Sequence, residues 1–366
     1  MLDFTSALYL GFEHASQTLA PWSRLTEGVP ATLREADQAR ALASRIAALV
    51  GCERASLTPS TLHAFWDLFG QFHERSHWVC LDGANYPIAG WGAERAGARG
   101  VRVQHFRHLD PDSLQHQLQL HWSARQRPVV ATDGFCAGCG RHAPLREYLA
   151  LVEQHDGLLV VDDTQALGVF GREAGETDFG AGGGGAAARA GLHKQPRLLL
   201  VASMAKAFGA PLAYLAGTTP AIAVFEARSE TRMYSSPPAH AALAAAARAL
   251  TLNRSVGASA RARLARNIEQ FRAADWQSVS VRLLEGYSPV QRLAADATGS
   301  RVGALRLQAK LQTLGVRSLV QRARCRPEAS VTCVLSALHE ARDIDRLLAA
   351  IFASARATST QDHRHA

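Results

Sequence analysis

The sequence predicts an α/β protein in which a mainly parallel sheet fills a large domain and a smaller α+β domain follows it. Three observations predict this. Apolar runs of strand length recur between Trp78 and Gly217 and alternate with helix-patterned stretches, which builds a parallel sheet covered on both faces. The texture changes after Tyr234-Ser235-Ser236-Pro237-Pro238, where Ala-rich helical sequence takes over. Finally, 366 residues are more than a single core usually serves, so the chain should divide.

Residues 1–30 read as an irregular arm, with LDFTSALYLG as a short ordered piece. From Leu33 to Val50 the pattern is helical: Leu42, Ile46, Leu49 and Val50 share a face, and Gly51 is the stop. Ala55–Thr58 precedes Pro59-Ser60-Thr61 and a helix-like segment from Leu62 to Phe72. A small-hydroxyl turn opening a helix leaves backbone N–H groups facing outward, which suits an anion as well as an ordinary cap by Ser60 or Thr61. Strands are predicted at Trp78–Leu81, Val101–Phe106, Pro128–Thr132, Leu158–Asp163, Leu198–Ser203 and Tyr214–Gly217, with a helix at Pro144–His155 and a turn at Asn85-Tyr86-Pro87. The run Gly182–Gly185 lacks the spacing of a phosphate loop and reads as a flexible loop. These segments define a large domain over 31–240. Beyond it come helices near 239–252 and 258–273, strands at Val279–Leu283 and Ser330–Leu335, and a last helix with Ile344, Leu347, Leu348 and Ile351 in register. The small domain is therefore placed at 241–355 and a disordered tail at 356–366.

Composition narrows the function classes. The chain is 47% hydrophobic and 20% charged, as soluble globular proteins are, and no apolar run reaches the ~18 residues of a membrane span. The net charge of +8 comes from dispersed arginines rather than a stripe, which argues against nucleic acid as a partner. MLDFTSALYL has no signal-peptide pattern, so a cytoplasmic protein with six free thiols is expected.

Chemistry concentrates at predicted strand ends. Lys206 follows the strand Leu198–Ser203, in a chain whose only other lysines are Lys194 and Lys310. A primary amine, unlike a guanidinium, can lose its proton and attack a carbonyl. Asp162 closes the apolar run LLVV, where a carboxylate is costly to bury without a cation. Ser60-Thr61 offers an anion cradle and Ser203 another hydroxyl. An amine, a buried carboxylate and a phosphate cradle are the requirements of pyridoxal 5'-phosphate.

TDGFCAGCGRHAPL, VVDDTQALGVFG and ASMAKAFG occur in that order, between LDFTSALYLG and HEARDIDRLLAAI. On these motifs the chain resembles the fold-type-I pyridoxal-phosphate enzymes and, within them, the α-oxoamine synthases. That group includes 8-amino-7-oxononanoate synthase, 2-amino-3-ketobutyrate ligase, 5-aminolevulinate synthase and serine palmitoyltransferase. The resemblance implies a homodimer with active sites at the subunit interface. It also implies condensation of an amino acid with an acyl thioester, carried by coenzyme A or an acyl carrier protein, to an α-amino ketone, often with decarboxylation. By the same resemblance Lys206 matches the Schiff-base lysine and Asp162 the partner of the ring nitrogen. Thr61 and Leu62 match backbone phosphate contacts, Ser203 a phosphate-side hydroxyl, and Ser236 a residue reaching the neighbouring subunit's phosphate.

The chain departs from the family pattern at four places. Tyr86 stands where a histidine usually stacks on the ring. Gln165 replaces the histidine of Asp-x-x-His and can still donate a hydrogen bond to the phenolic oxygen. Thr332 replaces the arginine that grips the substrate carboxylate, with Arg322, Arg324 or Arg326 as candidate substitutes. Ala7 replaces an asparagine near the N-terminus. The lost arginine motivates an alternative, an aminotransferase or other amine-processing enzyme; the accumulated substitutions motivate a non-catalytic member. Cys136 and Cys139, with His142 nearby, have the spacing of a metal or redox pair. With no second C-x-x-C the pair reads as a loop beside the cofactor, and no metal is assigned.

Overall fold

The structure, a computed structural model, describes residues 1–173, 179–296 and 298–359. Seven strands form the main sheet: β1 (Arg54–Thr58), β2 (His77–Asp82), β3 (Val103–Phe106), β4 (Arg127–Asp133), β5 (Leu158–Asp162), β6 (Leu198–Ser203) and β7 (Ala213–Gly217). Their order is β3-β2-β4-β5-β6-β7-β1, and β7 alone runs against its neighbours. Both faces are covered, which is why these strands read as continuous apolar runs rather than alternating ones. Val160, Leu199 and Val201 pack on one side with Phe65 and Phe69 of α2 (Thr61–Gly70). Val161, Leu200 and Ala202 pack on the other, with Leu42 and Ile46 of α1 (Asp37–Val50). The parallel arrangement brings the carboxyl ends of β2, β4, β5 and β6 to one edge, where Asp133 and Asp162 are register partners.

The C-terminal part holds a four-stranded antiparallel sheet: β8 (Arg282–Leu283), β9 (Val290–Ala294), β10 (Leu319–Arg322) and β11 (Ala329–Val334), in the order β8-β9-β11-β10. The arm is anchored rather than loose. Leu2–Asp3 pair with Val316–Arg317, and Phe4, Tyr9, Leu10 and Phe12 are buried.

Three expectations change. The two helices predicted around 239–273 are one, α3 (His240–Arg272). Gly257 lies inside it because a Cβ there would stand 2.5 Å from Asn253 Oδ1; the glycine makes room for a pair rather than a break. Gly182–Gly185 is not a free loop: Gly183 and Gly185 are tied by backbone hydrogen bonds to Gly168 and Phe170, and both are buried. The final helix, Ala341–Ser359, continues past 355, and the rest of the predicted tail lies outside the described residues. No helix among the described residues is long and apolar enough to cross a membrane.

Candidate active site

Lys206 lies in the turn that follows β6, a turn closed by backbone hydrogen bonds from Gly209 to Lys206 and from Ala210 to Met204. Gly209 has φ +61°, and a Cβ there would stand 2.3 Å from the Phe12 carbonyl, so the arm packs against this turn because the residue is glycine. The turn delivers Lys206 into a cleft of about 580 Å³ shared with Thr61, Tyr86, Asp133, Asp162, Gln165 and Ser203. On its far side the cleft is lined by Arg292, Arg322 and Arg324 from the small sheet and the loop after it.

Asp162 is 6% exposed, and its Oδ1 accepts from the Thr164 backbone N–H at 3.0 Å. Burial raises its pKa, while Thr164 and the Lys206 charge pull it back. Asp133, which the sequence reading did not single out, stands beside it; burial and then the Asp162 charge raise its carboxyl well above the ordinary range. Desolvation lowers the Lys206 ammonium against the opposing pull of both aspartates. A protonated ring nitrogen beside Asp162 would relieve this crowding of two carboxyls around one ammonium.

The other predicted residues divide. The Tyr9 hydroxyl donates to Gln165 Oε1 at 2.7 Å, which leaves the Nε2 end of the amide as donor. The Tyr86 ring lies 5.9 Å from Lys206 Nζ and is half exposed, and its backbone N–H donates to Asp133 Oδ1 at 3.1 Å. Ser203 lines the cleft and ties its backbone N–H to Thr164 Oγ1 at 3.0 Å. Ser60 is the residue before α2, yet no side chain caps that helix. Its hydroxyl instead contacts His63 Nδ1 at 2.8 Å, and the first intrahelical bond comes from Ala64. The N–H groups at Thr61 and Leu62 therefore remain for an anion. Leu62 itself is 40% exposed and contributes backbone only. Ser236 is exposed and does not line this cleft.

Thr332 lies in β11, buried, with its hydroxyl unpaired. Directly opposite it on β9 is Arg292, 5% exposed. Its Nε donates to Ser330 Oγ at 2.9 Å and its Nη1 to the Gly138 carbonyl, while Nη2 is buried without a partner. The guanidinium absent from position 332 is thus present across the strand pair. The sequence reading missed it because register, not spacing, makes the two residues neighbours. Arg326 turns instead toward Glu285 at 3.8 Å.

The family model for aminotransferase class I and II matches residues 35–351, which contain every strand of both sheets. The chain belongs to this family. Within the aminotransferase class I and II family it falls with the α-oxoamine synthases. It is 30% identical over 96% of its length to 88% of an 8-amino-7-oxononanoate synthase of Klebsiella pneumoniae, and 30% identical over 84% to 77% of one from Nitrosococcus oceani. The match to the enzyme of that name from Thioalkalivibrio sulfidiphilus, at 32% identity, covers 70% of this chain and 62% of the relative's own length. Among solved structures, Sphingomonas wittichii serine palmitoyltransferase superposes with a TM-score of 0.81 at 18% identity, covering 98% of this chain and 88% of that one. The 8-amino-7-oxononanoate synthase of Francisella tularensis gives 0.71 at 20% identity, covering 98% of each chain. These likenesses show the fold-type-I architecture, a large α/β domain and a smaller C-terminal one.

Proposed function

We propose that this protein is a pyridoxal-phosphate-dependent C-acyltransferase that condenses an amino acid with an acyl thioester to an α-amino ketone. The observation that carries the reading is the convergence of Lys206 and Asp162 in one cleft beside the uncapped start of α2. Lys206 would hold the cofactor covalently through Nζ, Asp162 its ring nitrogen, and the N–H groups at Thr61 and Leu62 its phosphate, with Ser203 alongside. The cofactor supplies an electron sink that makes a carbanion accessible at the substrate α-carbon. Desolvation keeps the Lys206 amine easier to deprotonate than an ordinary lysine, so it can take and return the α-proton. The Tyr86 ring, which lines the cleft, would stack on the cofactor ring, and Gln165, steered by Tyr9, would donate a hydrogen bond without changing charge. Ser236, exposed outside its own cleft, fits a role across a homodimer interface.

Arg292 is the residue proposed to grip the α-carboxylate, since its unpaired Nη2 is the buried donor opposite Thr332. Its presence removes the main motive for an amine-transfer reaction. Arg322 and Arg324, both exposed at the cleft mouth, suit the anionic portion of a coenzyme A or carrier-protein thioester. The test is thiol release. Protein loaded with pyridoxal phosphate is incubated with amino acid and acyl-coenzyme A pools, in parallel with Lys206→Ala. The reading expects release that needs both substrates and falls roughly a thousandfold or more in the variant. Conversion of the cofactor to its pyridoxamine form by an amino donor, with no thiol released, would instead establish the aminotransferase reading.

A further inference from the structure

The C-x-x-C pair does not stand alone. Cys136 and Cys139 bracket the tip of a hairpin whose strands are Phe135–Cys136 and Arg141–His142. Cys325 descends onto the tip from the loop after β10, and His108 reaches it from the segment after β3. The three sulfurs and a His108 ring nitrogen all lie within 4.8 Å of one another. Cys136 Sγ and Cys325 Sγ are 3.6 Å apart, and His108 Nε2 is 3.4 Å from Cys139 Sγ. A tetrahedron with Zn–S near 2.3 Å and Zn–N near 2.0 Å has edges of about 3.8 Å between sulfurs and about 3.5 Å between sulfur and nitrogen. The side chains are already spaced as ligands.

The surroundings fit as well. His108 Nδ1 lies 2.6 Å from Asp82 Oδ1, so the carboxylate holds the ring proton on Nδ1 and frees Nε2 for a metal. Asp82 is itself fixed by the backbone N–H groups of Ala84 at 2.9 Å and Leu109 at 3.1 Å. Gly138 allows the closure, because a Cβ there would stand 2.7 Å from Cys325 Sγ. Arg292, bonded to the Gly138 carbonyl, brings a positive charge to the same hairpin.

We propose that His108, Cys136, Cys139 and Cys325 bind one zinc ion as a closed structural site. Binding releases three thiol protons to solvent, with no electron transfer, and gives a centre of net charge −1 that the Arg292 guanidinium offsets. With four protein ligands and no open position, the ion is structural rather than catalytic. It pins the end of β10, with Arg322, and the following loop, with Arg324, to the hairpin of the large domain. The sequence shows only the C-x-x-C, because the other two ligands are 28 and 186 positions away from its nearer cysteine.

The test is metal content of the full chain, purified without chelator or metal-affinity tag. Mass spectrometry of metals should find about one zinc per chain, retained in Cys52→Ser and lost in Cys136→Ser and Cys325→Ser. Zinc removal should lower Tm by roughly 5 °C or more, reversibly. If the variants do not fold, cobalt substitution of the native chain decides: it should give thiolate charge-transfer and tetrahedral ligand-field bands. Folded protein without metal, a Cys136–Cys325 disulfide, iron with labile sulfide, or zinc retained in Cys325→Ser would each overturn the assignment. None of these readouts depends on the proposed acyltransferase activity.

Discussion

At the scale of single residues, the site is a problem of charge in a desolvated cleft. Lys206 and Asp162 were legible because each is chemically out of place: a lysine in an arginine-rich chain, and a carboxylate ending an apolar strand. Asp133 and Arg292 were not, since the first needs the β4–β5 register and the second the β9–β11 register to reveal its neighbour. Replacing Arg292 with Ala should raise KM for the amino acid roughly 10- to 100-fold with a smaller change in kcat, as steady-state kinetics would show. Equal loss in kcat and kcat/KM would move Arg292 from binding to transition-state stabilisation. Asp163 offers a prediction in pH. Its carboxyl is fully buried, Oδ1 accepts from Ala186, Oδ2 is unpaired, and burial pushes its pKa up to about 8. The folded state therefore binds a proton that the unfolded chain has lost above the ordinary carboxyl value of 3.8. From that value up to about 8, Asp163 makes the fold less stable as pH rises. Asp163→Asn should remove this slope, so thermal melts at pH 5 and pH 9 should differ less in the variant than in the native chain.

At the scale of elements, the strands were the most readable part. Leu198–Ser203 is found with the bounds the sequence predicts, because both faces are buried and the apolar run ends where the turn begins. Helices with weak patterning, Pro87–Ala98, Pro111–Leu120 and Arg301–Thr313, were not read; small or polar residues dilute their periodicity. Gly257, inside α3, has a specific reason to be glycine. It is there to let Asn253 accept from Arg261 Nη1 at 2.7 Å and donate to the Gly182 carbonyl at 2.9 Å, while Arg261 reaches Gly168. Gly257→Ala ordinarily strengthens a helix by about 0.5–1 kcal/mol. Here the new methyl displaces that buried pair, and urea unfolding should show a loss of about 1–2 kcal/mol instead.

At the scale of the whole molecule, the N-terminal arm and the C-terminal sheet complete a site that the main sheet only begins. The arm pairs with Val316–Arg317, seats Phe12 against Gly209 and supplies the Tyr9 hydroxyl that orients Gln165. Tyr9→Phe should weaken activity several-fold through Gln165 while leaving Tm within a few degrees, because the ring remains to fill its buried place. A matching loss in Gln165→Ala, with no further loss in the double variant, would show that the two residues act as one unit.

The central claim is that Lys206 carries the cofactor, and covalent trapping tests it most directly. The protein is incubated with pyridoxal phosphate, reduced with borohydride and digested, and the pyridoxyl-bearing peptide is sequenced by mass spectrometry. With only three lysines in the chain the answer is unambiguous. The account predicts label on Lys206 alone, at about one per chain and absent from Lys206→Ala. Label on Lys194 or Lys310, or no label on a folded protein, would contradict it.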